Sequence, residues 1–211
     1  VLTVNVNRKE GFAGEVEVTV SDPPAGISAS PLTIPANQNQ ARLTITAEAN
    51  CERGMKTLNL VGTATINHQT VTHQAVGMET VGYVDQQRQV PTREVVLGIT
   101  EPSYFSLSVE YSAPRDRILR LRQNTKEKVV VKVQRKVGTT GPINLSLEGL
   151  PQGVTATVAP IPADQHQVTL TLSVAPDAAR GSAMLLITGT ATVGGQTVTR
   201  FAPAIAVRVI P

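Results

Sequence analysis

Apolar and polar residues alternate along most of this chain. Thr3 and Asn5 separate Leu2, Val4 and Val6, and Glu17 and Thr19 separate Val16, Val18 and Val20. A period of two places one set of side chains on one face of an extended backbone, so each run predicts a half-buried β-strand. Arg42–Thr46, Leu58–Ile66, Arg93–Ile99, Tyr104–Tyr111 and Ile118–Arg122 read the same way. Turns are expected at 8–14 and at Asp22-Pro23-Pro24-Ala25-Gly26, where proline withholds an N–H and glycine tolerates positive φ. No stretch carries a 3.6-residue apolar period, so no helix is expected.

The pattern also repeats itself. Gly62-Thr63-Ala64-Thr65 and Gln69-Thr70-Val71-Thr72 return as Gly189-Thr190-Ala191-Thr192 and Gln196-Thr197-Val198-Thr199, both at an offset of 127. In that one register, roughly 28 of about 80 aligned positions are identical and no insertion is needed, which marks two copies of one domain. We expect an all-β chain of two tandem antiparallel β-sandwich domains, residues 1–101 and 102–211, with the boundary near Thr100-Glu101-Pro102. About seven to nine strands in some 110 residues suit an Ig-like sandwich, here without the cysteine pair and tryptophan of antibody domains. Residues 77–102 are expected to close the first domain and to pack between the two. Tyr104–Tyr111 and Ile118–Arg122 have no counterpart in the first copy, because Val1 aligns with Lys128. The first copy is therefore expected to lack its N-terminal strand or strands, with those lying upstream in a larger protein. That leaves an open sheet edge, and a dimer made through it would be an artefact of truncation.

The repeated word itself reads as a hairpin. Asn67-His68 and Gly194-Gly195 form two-residue turns that need positive φ. Ile66 then pairs with Gln69, Thr65 with Thr70, Ala64 with Val71, Thr63 with Thr72 and Gly62 with His73. Threonines form an outer ladder, and Leu58, Leu60, Ala64 and Ile66 line the core face. Gly62 and Gly189 are expected to leave room for His73 and Arg200 to lie across the strand.

Composition narrows the function classes. Aromatics make up 3% and there is no tryptophan, so β-branched and aliphatic residues must fill the cores. The single cysteine, Cys51, excludes an internal disulfide and a cysteine-rich metal site. No segment is long and apolar enough for a membrane-spanning helix, and no membrane insertion is expected. Charge is uneven: residues 1–102 hold seven Lys+Arg against ten Asp+Glu (net −3), and residues 103–211 hold twelve against six (net +6).

A site belonging to the domain type should occur twice. The polar residues shared by both copies are Arg8/Arg135, Lys9/Lys136, Gln38/Gln165, Gln40/Gln167, Arg53/Arg180 and the hairpin threonines and glutamines. No Asp, Glu or His is shared, so duplicated acid–base machinery is not expected, and neither is an enzyme. His68, His73 and His166 lack metal-ligand spacing. No catalytic residue, metal ligand or cofactor is expected. Asn144-Leu145-Ser146 matches a glycosylation sequon but lies in a strand pattern. The one charged feature of note runs from Arg115 to Lys136. Its strand residues Arg120 and Arg122, with Lys132, are candidate polyanion-facing side chains, competing with a solvated face or one docked on the acidic first copy. Without interleaved aromatics, nucleic acid is not the expected partner.

Val131-x-Val133-x-Arg135, Gly141-Pro142-Ile143-x-Leu145 and Gly149-Leu150-Pro151-x-Gly153-Val154, followed by Ala178-x-x-Gly181 and Gly189-Thr190-Ala191, resemble Ig-like modules of large secreted or cell-surface bacterial proteins. Planctomycete-type surface proteins that also carry pre-peptidase-like β-domains show this pattern, and Val90-Pro91 before Glu94-Val95-Val96-Leu97 is similar to their domain junction. The resemblance implies tandem sandwiches and an extracellular, periplasmic or cell-surface location, and carries over no functional residues. The expected role is a non-catalytic spacer or adhesion segment whose partners would be other domains of its parent or surface glycans. The alternative is a carbohydrate-binding accessory module, for which Tyr83, Tyr104, Phe105 and Tyr111 are the available aromatic platform.

Overall fold

The computed structural model describes residues 1–211 apart from 37, 49, 83–87, 93, 101–103, 113–116 and 137. The described residues are all-β, with no helix. Eleven strands come first: β1 (Leu2–Asn5), β2 (Val16–Ser21), β3 (Ile27–Ala29), β4 (Leu32–Ile34), β5 (Gln40–Leu43), β6 (Ile45–Ala47), β7 (Gly54–Ile66), β8 (Gln69–Gln74), β9 (Gly77–Val81), β10 (Arg88–Thr92) and β11 (Val95–Ile99). Nine follow: β12 (Phe105–Tyr111), β13 (Ile118–Arg122), β14 (Lys126–Arg135), β15 (Asn144–Glu148), β16 (Val154–Thr157), β17 (Gln167–Val174), β18 (Gly181–Val193), β19 (Gln196–Phe201) and β20 (Ile205–Ile210).

In the second repeat, β12-β14-β17-β16 form one sheet and β13-β20-β18-β15 the other, with β19 on β18. Both sheets send side chains into one core: Phe105, Leu107, Val129, Val131, Leu170 and Leu172 meet Leu119, Leu121, Leu185, Ile187 and Val207. The pairing is antiparallel, as expected, except that β13 lies parallel to β20. The first repeat has its own core of Val16, Val18, Ile27, Leu32, Ile34, Leu43, Leu58 and Leu60.

The repeat offset governs the pairing itself. Val16 pairs with Ile34 as Ile143 bridges Ile161, Glu17 with Thr63 as Asn144 with Thr190, and Ile27 with Ala47 as Val154 with Val174. β17 corresponds to β5 and β6 together, divided at Thr44. The hairpin pairs as expected in both copies, with Thr63 facing Thr72 and Thr190 facing Thr199. All four turn residues have positive φ: 48° and 62° at Asn67 and His68, 57° and 80° at Gly194 and Gly195.

The gap-free register ends after the hairpin. β20 pairs with β18 from Gly181↔Val209, and β11 takes the equivalent place on β7 from Gly54↔Ile99. Gly181 is 127 residues beyond Gly54, but Val209 is only 110 beyond Ile99, so the first repeat carries 17 more residues at this point. They hold the extra hairpin β9–β10. β11 closes the first repeat's sheet, with Val95, Leu97 and Ile99 packed on its core, rather than serving as a layer between repeats. The expected boundary at 100–102 falls largely on residues outside those described.

Candidate interaction surfaces

One of the two shared arginine pairs, Arg8 and Arg135, proves to be a pair of clamps. Arg8 ends the first strand run and donates through Nη2 to the carbonyls of Pro35 and Gln38, both at 2.9 Å, and through Nη1 to Gly14. Arg135 does the same to Gly141 (2.7 Å) and Pro162 (2.8 Å). A guanidinium fork can bond two carbonyls at fixed angles, which locks a strand end to two neighbouring turns. This accounts for the repetition of the arginine without any ligand.

The three candidate polyanion-facing residues are not gathered into one patch. Arg120 and Arg122 are exposed on β13, in the sheet with β20, whereas Lys132 belongs to β14 in the other sheet. Lys132 is ion-paired with Glu110 across the β12–β14 ladder. Arg120 instead stands opposite Arg208 in the β13–β20 register, and Arg208 reaches Glu15 of the first repeat at 3.5 Å. The run's opening residues Arg115 and Asp116 lie outside the described residues.

The aromatic platform does not form among the described residues. Phe105 is completely buried in the core, and Tyr111 packs against that core from the same face of β12. Burial pushes the Tyr111 phenol above its ordinary pKa, and its hydroxyl donates to the Arg117 carbonyl at 3.1 Å. Tyr104 is 48% exposed, and Tyr83 lies outside the described residues. Among the described residues, no three His, Cys, Asp or Glu side chains group as metal ligands. Cys51 is a free thiol, half-buried, with Sγ 3.6 Å from the Ala25 carbonyl. Lys56 lies 2.7 Å from Glu52; their hydrogen bond lowers the carboxyl pKa and raises that of the amine, with Glu52 exposed and Lys56 half-buried.

The repeats meet through strands other than those expected to lie between them. β4 and β5 lie against β18. Thr44 is only 3% exposed, and its Oγ1 accepts the Ala204 N–H at 2.8 Å. Met184 packs against the first repeat's core, while Leu186, Ala204 and Ala206 are buried outside the second repeat's core. Arg42 meets Glu148 at 2.6 Å on the rim. A signal was present: Ala183-Met184-Leu185-Leu186-Ile187 is apolar on both faces, whereas the first repeat alternates at Lys56-Thr57-Leu58-Asn59-Leu60. A strand apolar on both faces must be covered on both.

The first repeat also contains a groove of about 980 Å³ between its sheets, bordered by Leu2, Val4, Val6, Val16, Gly62 and Ala64. The space over Gly62 is not spanned by His73, as had been expected. A Cβ placed on Gly62 would meet only Val16 Cγ1 at 3.5 Å and the His73 carbonyl at 3.9 Å. Over Gly189 the space is filled from the core side by Leu107 and Phe105 of β12, not by Arg200.

No family model matches the chain, and no curated protein matches it. Among solved structures it is similar to the crystal structure of domains 4 and 5 of the S-layer protein SbsC. The identity is 14%, covering 93% of this chain and 98% of that one, with a TM-score of 0.32. Overlap at that TM-score carries no argument about fold or function.

Proposed function

We propose that the chain is a non-catalytic tandem Ig-like segment, with domains at 1–101 and 102–211, that serves as a spacer or adhesion stretch of a larger exported bacterial protein. The observation that carries this reading is the buried contact between the repeats, centred on Thr44 Oγ1 and the Ala204 N–H. A spacer must hold its domains in one relation, and a desolvated hydrogen bond flanked by Met184 and Leu186 does that better than a polar linker. The exported location rests on the resemblance of the repeat pattern to bacterial surface modules. Among the residues shared by both copies, Arg8 and Arg135 clamp turns and the hairpin threonines pair across strands.

The test is a distance distribution between spin labels at the exposed positions Thr65 and Thr192, in a chain whose Cys51 is replaced by alanine. The distribution should be narrow. Met184→Thr with Leu186→Asn, which installs the first repeat's own residues, should broaden it, and Thr44→Val should cost about 1–3 kcal/mol by stranding the Ala204 N–H. A broad distribution in the parent chain would rule the rigid-spacer reading out.

A further inference from the structure

The second repeat shows what fills the place that stands open in the first. β12 pairs with β14 so that Leu107 faces Val133, Val109 faces Val131 and Tyr111 faces Val129. At the repeat offset those three valines correspond to Val6, Val4 and Leu2. Val129 and Val131 are 0% exposed, whereas Leu2, Val4 and Val6 are half-exposed along the groove. Among the described residues, β1 pairs only with β5.

Its other edge is ready to bond. The Val6 N–H points back to Asn39, as the Val133 N–H points to His166. Amides alternate in direction along an antiparallel strand, so those of Thr3 and Asn5 face outward. In the second repeat the equivalent of Lys9, Lys136, donates from that edge to the Tyr104 carbonyl at 2.8 Å. The slot over Gly62 then corresponds to the one that Leu107 and Phe105 occupy over Gly189.

We infer that the groove along β1 is an acceptor for an extended polypeptide strand of the β12 type. Such a strand carries Phe, Leu, Val and Tyr at alternate positions and adds antiparallel to β1. Backbone bonds to the open edge supply affinity, and apolar side chains entering between the sheets supply selectivity. The donor is an extended strand of that composition that is not already paired in a fold of its own. It is not a second folded copy, because there Phe105 and Leu107 are consumed in their own core. The outward neighbours also constrain it: β1 presents Asn5 where β14 presents Lys132, so the acidic residue that Glu110 provides in β12 has no ion-pair partner here. This inference does not depend on the spacer reading.

The probe is a synthetic peptide of residues 104–112 added to the isotope-labelled full chain. Saturable binding is expected, with slowed amide exchange at Thr3 and Asn5. A peptide with Leu107→Asp should bind at least about tenfold more weakly, a loss of about 1.4 kcal/mol. Gly62→Leu in the chain should weaken binding similarly by occupying the slot itself. Because that variant could misfold, residues 104–127 grafted directly ahead of Val1 provide a second measurement: the graft should protect the same two amides without added peptide. The inference is overturned if neither peptide nor graft protects Thr3 and Asn5, or if binding is indifferent to Leu107→Asp. It is equally overturned if the unmodified chain protects those amides by dimerising with itself.

Discussion

Val131 and Val4 hold the same place in the two repeats, yet one is sealed in a core and the other lies half-open on a groove. Pairing register, turn geometry and the arginine clamp are shared between the copies. The difference is the strand that covers that edge. β12 brings Phe105, Leu107 and Val109 onto the second repeat's core, and the first repeat has no described strand there. Closure of the sandwich is thus separable from the scaffold: the β7–β8 hairpin and the sheet around it form in either setting. What closure adds is close packing, which makes the same glycine indispensable in one copy and replaceable in the other.

The largest expected contrast lies at Gly189 and Gly62. A Cβ on Gly189 would sit 2.7 Å from Leu107 Cδ1 and 3.0 Å from Ile143 Cγ2, so Gly189→Ala should destabilise the chain by about 1–3 kcal/mol through overpacking. At Gly62 the nearest side-chain atom is at 3.5 Å, so Gly62→Ala should be neutral or slightly stabilising. Denaturant unfolding of the two variants measures the difference directly. Equal costs would mean that the two slots are filled alike.

The smaller effect lies in the hairpin turns. His68 adopts φ of 62°, where Gly195 adopts 80°. A side chain in the left-handed region costs about 1 kcal/mol, so His68→Gly should stabilise the chain and Gly195→Ala destabilise it by about that amount. Opposite shifts in melting temperature are the expected readout. Shifts of the same sign would show that the two turns are not equivalent.

The sequence made the hairpin legible because a period of two and a two-residue turn leave only one register, and the internal repeat supplied a second example. The open edge was legible for the same reason, since Val1 aligns with Lys128 and the repeat register therefore gives β1 no counterpart of β12. Other features depend on how distant parts meet. The β9–β10 hairpin sits where the repeat identity has already faded, so the 17-residue difference looked like a junction. The role of Gly189 depended on which strand crosses it, and Arg200, its register neighbour, was the natural but mistaken choice. Arg120, Arg122 and Lys132 are close in sequence but fall on two different sheets, because the chain changes sheet between β13 and β14. The contact between repeats has its sequence mark in Met184 and Leu186, apolar where the first repeat has Thr57 and Asn59.

Site-resolved amide exchange tests most directly whether one scaffold occurs twice, closed once and open once. In the isolated chain the Thr3 and Asn5 amides should exchange quickly, while Val130 and Lys132, their equivalents on the ladder that β12 covers, should be strongly protected. Equal protection at the two pairs of positions would contradict the account.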